Sequence, residues 1–143
     1  MSYERSMKHH VEASASALTS TADIDTFTPT MPIEVFEFGV VITTDLTASD
    51  NLIIAADKRT VAGSDTGRGS GDVGTLTIAA ASSGAVDAGD VILCRLATPV
   101  VVLPGEQVVI EVTNAVAAGD GFAFINYRQL PRGDRSSVSV VTS

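Results

Sequence analysis

The chain has 143 residues, a length typical of one domain, and a chain of this size buries roughly 68–70% of the surface that its unfolded form exposes. Its formal net charge is −8 and only nine residues are Lys or Arg, which excludes the clustered basic surface that binding to nucleic acid requires. Anionic membranes are disfavoured for the same reason, and no apolar run approaches the ~20 residues that span a bilayer. We therefore expect one domain that binds neither nucleic acid nor membrane.

The composition also limits how the core is built. Hydrophobic residues make up 45% of the chain, aromatic residues only 5%, and Trp is absent, so Val, Ile, Leu and Ala must supply most of the buried side chains. Cys94 is the one cysteine, which excludes an internal disulfide and a cysteine-based zinc cluster. Its apolar neighbours predict a buried, inert thiol in a strand. The first ten residues lack the apolar stretch of a secretory signal.

The first predicted element is a non-helical N-terminal arm, residues 1–31, which is rich in Ser, Thr and Ala. Four of its residues fall at helical spacing behind Ser6, which could cap a short helix: Met7, Val11, Ala15 and Leu18. A single weak stripe of this size does not stabilise a helix by itself. We therefore expect the arm to be mobile or to become ordered by lying on another chain.

The predicted domain, residues 32–143, contains runs of Val, Ile and Leu between turns with Gly, Asp or Pro. The first strand is expected at residues 33–44, with Phe36, Phe38, Val40 and Ile42 on one face, Ile33, Val35 and Val41 on the other, and Gly39 as a bulge site. Seven more strands are expected at residues 51–56, 75–78, 91–96, 100–103, 108–113, 122–127 and 137–141. This pattern indicates an all-β fold, an antiparallel β-sandwich or jelly roll with an extended N-terminal arm, and argues against a parallel α/β sheet.

No motif predicts a catalytic, cofactor or metal site. The glycine pattern at residues 69–74 matches a dinucleotide-binding fingerprint, but a strand follows it where a helix is required, so we interpret it as a loop. Arg132-Gly133-Asp134 is interpreted as a polar turn, and an adhesive role for it stays open. His9 and His10 cannot both reach one ion from a rigid strand or helix. Aspartates in turns, such as Asp87, are expected to bond nearby backbone amides, and a calcium site between neighbouring loops stays open.

Three stretches together resemble the small structural proteins of tailed-bacteriophage heads. They are EVFEFGVV at residues 34–41, VLPGEQVVIEV at 102–112 and GFAFINY at 121–127, and the likeness extends over residues 32–130. The resemblance implies a capsid decoration, or cement, protein: a β-sandwich that forms a homotrimer on the outer capsid surface and clamps neighbouring copies of the major capsid protein. In that family an extended arm often reaches an adjacent subunit.

The resemblance gives the arm a role as well. We expect four apolar residues of the arm to contact a neighbouring subunit: Met7, Val11, Leu18 and Phe27. No cofactor and no enzymatic activity are expected. The alternative is a receptor- or carbohydrate-binding head domain of a phage fibre, which the scarcity of aromatic residues disfavours. The absence of His from residues 32–143 disfavours the interpretation as a sandwich-fold enzyme. A hydrolase that uses only carboxylates stays open.

Overall fold

The computed structural model describes residues 7–47, 51–61, 73–79 and 86–130. They form nine strands: β1 (Lys8–Val11), β2 (Ser16–Ala17), β3 (Ala22–Phe27), β4 (Ile33–Thr47), β5 (Leu52–Thr60), β6 (Gly74–Ile78), β7 (Val91–Val102), β8 (Glu106–Asn114) and β9 (Ala118–Gln129). All of their pairings are antiparallel. The prediction of an all-β antiparallel sandwich is confirmed. In the described part of the chain no helix is long and apolar enough to cross a membrane.

The strands form two sheets that pack face to face. Sheet A has the order β1-β9-β4-β7, and β2 also pairs with β9; sheet B has the order β3-β8-β5-β6. The core between them is mostly β-branched, with fully buried side chains that include Phe38, Ile42, Ile54, Ile110 and Ile125. Burial of each such side chain contributes about 1.5–3 kcal/mol to folding. These aliphatic side chains suit the pleated surfaces on which they lie.

A bulge in β4 changes which side chains enter the core. The register of β4 shifts between Val35 and Glu37 against both of its neighbours, β7 and β9. Against β9 the extra residue is Phe36, whose ring lies 4.6 Å below the guanidinium of Arg128. Against β7 the longer segment belongs to β7, where residues 96–99 lie between the partners of Glu37 and Val35. Ile33, Val35, Phe38, Val40 and Ile42 are consequently all buried in the core. The predicted faces are therefore right for Phe38, Val40, Ile42 and Val41 but wrong for Ile33 and Val35, which share the core face after the bulge, and Gly39 is not the bulge.

The described part of the N-terminal arm lies on the sandwich of its own chain. β1 and β2 pair with β9, while β3 pairs with β8 in the other sheet. Leu18, between β2 and β3, is 0% exposed, and its backbone N–H donates to the carbonyl of Gly119 at 3.0 Å. The helical spacing of Met7 and Val11 with Leu18 corresponds to no helix. Because backbone pairing holds these residues, the arm contributes strands to both sheets.

The remaining strand and motif predictions have different outcomes. The strands expected at residues 91–96 and 100–103 form the single strand β7, which crosses the register shift opposite Phe36. The strand expected at residues 137–141 and the Arg132-Gly133-Asp134 turn lie outside the described residues, as does most of the glycine motif, of which Gly74 begins β6.

Candidate interaction surface

The face of sheet A that turns away from the core is arranged in rows, because its four longer strands are in register. The first row holds Val91, Val41 and Phe122, and the second holds Leu93, Gly39, Phe124 and Val11. The third row holds Arg95, Glu37, Asn126 and His9. We call the first two the apolar rows and the third the polar row. Successive rows are two residues apart along each strand, or about 6.8 Å.

The apolar rows surround a shallow hollow of about 270 Å³. It is lined by His9, Val11, Val41, Val91, Phe122, Phe124 and Asn126. Val91 is 60% exposed and Val11 is 49% exposed, so the rim of the hollow is open to solvent. Single exposed apolar residues are common on proteins, but a contiguous apolar patch marks an interaction site. This face is therefore the strongest candidate for a functional surface among the described residues.

Gly39, in the second row, lets the Phe124 ring lie close to the backbone of β4. A Cβ at this position would lie 2.6 Å from Cζ of Phe124 and 2.2 Å from the carbonyl oxygen of Ile92. Both distances are far below a van der Waals contact, so only glycine lets the Phe124 ring come this close to the strand. The ring covers the backbone of β4 and forms part of the floor of the hollow.

Hydrogen bonds connect the polar row across four strands. The Nδ2 of Asn126 donates to Oε1 of Glu37 at 2.6 Å, and Nε of Arg95 donates to Oε2 of Glu37 at 3.2 Å. Oδ1 of Asn126 lies 2.5 Å from Nδ1 of His9; since this oxygen is an acceptor, the proton lies on Nδ1 of the imidazole. Glu37 and Asn126 are 8% and 7% exposed, whereas the Arg95 side chain is 75% exposed. The Arg95 guanidinium is therefore the charged group of this row that a partner would meet.

The four predicted contact residues of the arm do not form one surface. Met7 and Val11 are each 49% exposed, and Val11 lines the hollow, so their contact with a partner stays a prediction. Leu18 is fully buried in the core of its own chain, where it cannot meet a partner. The ring of Phe27 packs against the core and lies 5.0 Å from that of Tyr127. Leu18 and Phe27 therefore stabilise this chain.

The sequence did not single out Val91, Leu93 and Arg95 as functional residues. They alternate with half-buried residues of β7 that pack against the core, so both faces of this strand are largely apolar. Such a pattern is typical of a strand that is buried on both faces. The signal that could have found the surface is Arg95, a charged residue in the middle of an apolar run, because charged residues are almost never fully buried without a partner.

The two adjacent histidines lie on opposite sides of β1. His9 contacts Asn126 in the polar row, while Nε2 of His10 lies 2.9 Å from Oδ2 of Asp25 in β3. The His10 ring is also stacked on Phe27, with centroids 4.5 Å apart. The His10–Asp25 pair thus ties the edge of sheet A to the edge of sheet B. Within the described ranges, no group of three or more His, Cys, Asp or Glu residues could hold a metal ion.

The remaining candidates from the sequence are Cys94 and the aspartates of the turn at residues 87–90, and both make contacts within this chain. Cys94 is half-buried, with its Sγ 3.7 Å from the carbonyl oxygen of Thr75. Burial raises the pKa of the Cys94 thiol, which lowers the fraction of nucleophilic thiolate at neutral pH. Oδ2 of Asp90 accepts a hydrogen bond from the backbone N–H of Asp87 at 2.9 Å, which is the backbone contact expected of an aspartate in a turn.

Comparisons with known proteins give little guidance. No family model and no curated protein matches the chain. Among solved structures, the chain is similar to one from the "Acidic stable capsid structure of Helicobacter pylori bacteriophage KHP30", with a TM-score of 0.48 and 13% sequence identity. The match covers 84% of this chain and 86% of that chain. A likeness of this size assigns neither a family nor a function to the chain.

Proposed function

We propose that the chain is a structural virion protein that decorates a phage capsid and stabilises it by bridging neighbouring copies of the major capsid protein. The observation that carries this proposal is the contiguous pair of apolar rows on the outward face of sheet A. Such a face gains free energy when a second protein surface covers it, because apolar area is then removed from water. The sequence resemblance to phage head proteins names the class of partner.

The charge of the chain supports a place on the outer capsid surface. A net charge of −8 repels packaged DNA and favours the side of the shell that faces away from it. A homotrimer would present three copies of the face at once, and the linked contacts would bind more tightly than one copy does. In this role the chain acts by binding alone, with no cofactor and no catalytic step.

A charge placed in the hollow tests the proposal. Val91→Asp changes a side chain that is 60% exposed, so the free energy of unfolding should change by no more than about 0.5 kcal/mol. Binding to capsids assembled without this chain should weaken by about tenfold or more, because the apolar contact is replaced by a charge that must be desolvated. Occupancy is measured by quantitative electrophoresis of purified particles and by cryo-electron microscopy.

The matched control is Val61→Asp. Val61 is 50% exposed and directly follows β5, in sheet B, so the substitution adds the same charge at similar exposure on the other sheet. Its occupancy should equal that of the unchanged chain. Undiminished occupancy of Val91→Asp, or an equal loss in both variants, would contradict the proposed capsid contact.

A second function, binding of carbohydrate by a fibre head domain, has one observation in its favour. Phe122 and Phe124 both line the hollow beside Asn126, and aromatic rings are the usual stacking surface for sugars. Against it, Asn126 and Glu37 bond each other, which leaves the Arg95 guanidinium as the exposed polar group of this row for sugar hydroxyls. A glycan-array hit that Phe122→Ala and Phe124→Ala both abolish would establish the second function.

A further inference from the structure

The spacing of the rows on sheet A matches the side-chain repeat of an extended polypeptide. Alternate side chains of a strand point to one face at intervals of about 6.8 Å, and the three rows follow one another at the same interval along β4, β7 and β9. An extended segment that lies along these strands therefore places residues i, i+2 and i+4 over the first, second and third rows. Stacked β layers commonly align in this way.

The first two rows favour apolar side chains at residues i and i+2 of the bound segment. They offer Val91, Val41 and Phe122 in one row and Leu93 and Phe124 beside Gly39 in the next. Among the described residues, no Asp, Glu, Lys or Arg lines the hollow between them, and His9 lies at its margin. A polar or charged side chain placed here would lose its hydration without gaining a hydrogen bond. Residues i and i+2 of the segment are therefore apolar.

The polar row favours a carboxylate at residue i+4 of the bound segment. Arg95 uses Nε to bond Glu37, and its exposed guanidinium has four more N–H donors, on Nη1 and Nη2, which suit a bidentate carboxylate. Glu37 does not attract a cation in the same way, because it is buried and both of its oxygens already accept hydrogen bonds. Residue i+4 of the segment is therefore Asp or Glu.

We infer that the outward face of sheet A binds an extended segment of a different protein with the pattern apolar-x-apolar-x-acidic, read in either chain direction, in which Arg95 selects the acidic residue; that this protein is a capsid subunit rests on the proposed function. A second copy of the chain fits the face less well. In a face-to-face dimer the polar row meets either the polar row or the first apolar row of the other copy. Neither contains a carboxylate free to bond Arg95.

A display selection with the full chain tests this inference. A library of random 12-residue peptides is selected against the immobilised protein, and the enriched peptides are sequenced. We expect enrichment of apolar-x-apolar-x-(Asp/Glu) or of the reverse order, (Asp/Glu)-x-apolar-x-apolar. Synthetic peptides of the enriched sequence should bind roughly tenfold more weakly to Arg95→Gln, and selection against this variant should retain the apolar pair but lose the acidic preference. Arg95→Glu should shift the preference at that position to Lys or Arg.

Lys8→Glu is the matched control for charge. Lys8 is exposed and precedes His9 in β1, so its side chain lies on the other side of the strand, and the acidic preference should persist in this variant. Circular dichroism and thermal unfolding establish that each variant is folded, and Arg95→Gln serves where the like charges of Arg95→Glu and Glu37 destabilise the chain.

Two results of the selection would overturn the inference: enriched peptides without an acidic residue two positions beyond the apolar pair on either side, or an acidic preference that Arg95→Gln leaves unchanged. A dimer in light scattering that Val91→Asp dissociates would also overturn it, because the face would then belong to a second copy. The peptide selection needs no capsid. If the acidic preference holds while Val91→Asp keeps full capsid occupancy, the capsid function fails and the binding preference stands.

Discussion

The outward faces of the two sheets differ in a way that composition does not suggest. On sheet A, apolar side chains are exposed, with Val91 at 60% and Leu93 at 39%. On sheet B, charged side chains are buried, with Asp57 at 0%, Glu111 at 3% and Arg59 at 6%. The outward face of an antiparallel sheet is ordinarily polar and wet. Here the chain satisfies its charges internally on one face and leaves apolar area uncovered on the other.

The buried charges of sheet B join three strands. Arg59 in β5 lies 3.2 Å from Asp57 in the same strand, 3.2 Å from Asp23 in β3 and 3.5 Å from Glu111 in β8. One guanidinium thus compensates several carboxylates, and we call these four residues the ion group. A face built in this way is fixed by its own pairing. The apolar rows of sheet A contain no charged residues that could pair with one another in this way. We therefore place the contact with a partner there.

The largest effect is expected from Arg59→Ala. Loss of this cation leaves Asp57 and Glu111 as buried charges with their shared partner removed, which costs about 3–5 kcal/mol of the free energy of unfolding. Urea denaturation measures it. Arg128→Ala is the control on sheet A: the Arg128 side chain is 40% exposed and lies 3.6 Å from Glu34, so the loss should stay below about 1 kcal/mol. Equal losses of stability in the two variants would show that the buried charges of sheet B contribute no more than the exposed ion pair of sheet A.

The N-terminal arm contributes to the outward faces of both sheets, so the second largest loss of stability is expected from a substitution in the arm. Its strand β1 supplies Val11 to the hollow on sheet A, and its strand β3 supplies Asp23 to the ion group on sheet B. Leu18 between them is fully buried, so Leu18→Ala should cost about 2–5 kcal/mol. Val11→Ala, at a half-exposed site, should change stability by about 0.5 kcal/mol or less. A small loss for Leu18→Ala in thermal or urea unfolding would mean that the arm is not part of the folded unit.

The sequence predicted the sandwich where alternation was clean. Residues 108–113 were expected to form a strand, and β8 extends that run by two residues at the start and one at the end. The bulge at Phe36 was missed because neither Gly nor Pro marks it. The arm strands were missed because β1 and β2 are held by backbone hydrogen bonds to β9, which any polar sequence can make. Their side chains carry no alternating signal.

The two outward faces were harder to predict than the core. The strand expected at residues 51–56 covers only the apolar run and ends before Asp57-Lys58-Arg59. β5 nevertheless continues to Thr60, since Glu111 and Asp23 compensate Arg59 from other strands. The polar row has the same origin: His9, Glu37, Arg95 and Asn126 are far apart in sequence and only sheet register brings them together. A single sequence contains no record of that register.

The smallest effect concerns Glu12, which follows β1 at the edge of sheet A. Its Oε1 accepts a hydrogen bond from the backbone N–H of Ala123 at 2.9 Å, and its Oε2 accepts one from the Ser16 hydroxyl. Burial and, to a smaller extent, the nearby Asp25 carboxylate raise the pKa of the Glu12 carboxyl more than these two hydrogen bonds lower it. The folded state therefore binds this proton more tightly than the unfolded state does, and its contribution to stability is lost as pH rises through the raised pKa.

Glu12→Gln should remove this dependence, because an amide does not ionise. The free energy of unfolding of Glu12→Gln minus that of the unchanged chain, measured in urea at steps from about pH 4 to pH 7, should therefore increase with pH. Ser16→Ala should enlarge the dependence, since it removes a hydrogen bond that lowers the Glu12 pKa. If Glu12→Gln and the unchanged chain differ by the same amount at every pH, then burial does not disfavour the Glu12 carboxylate.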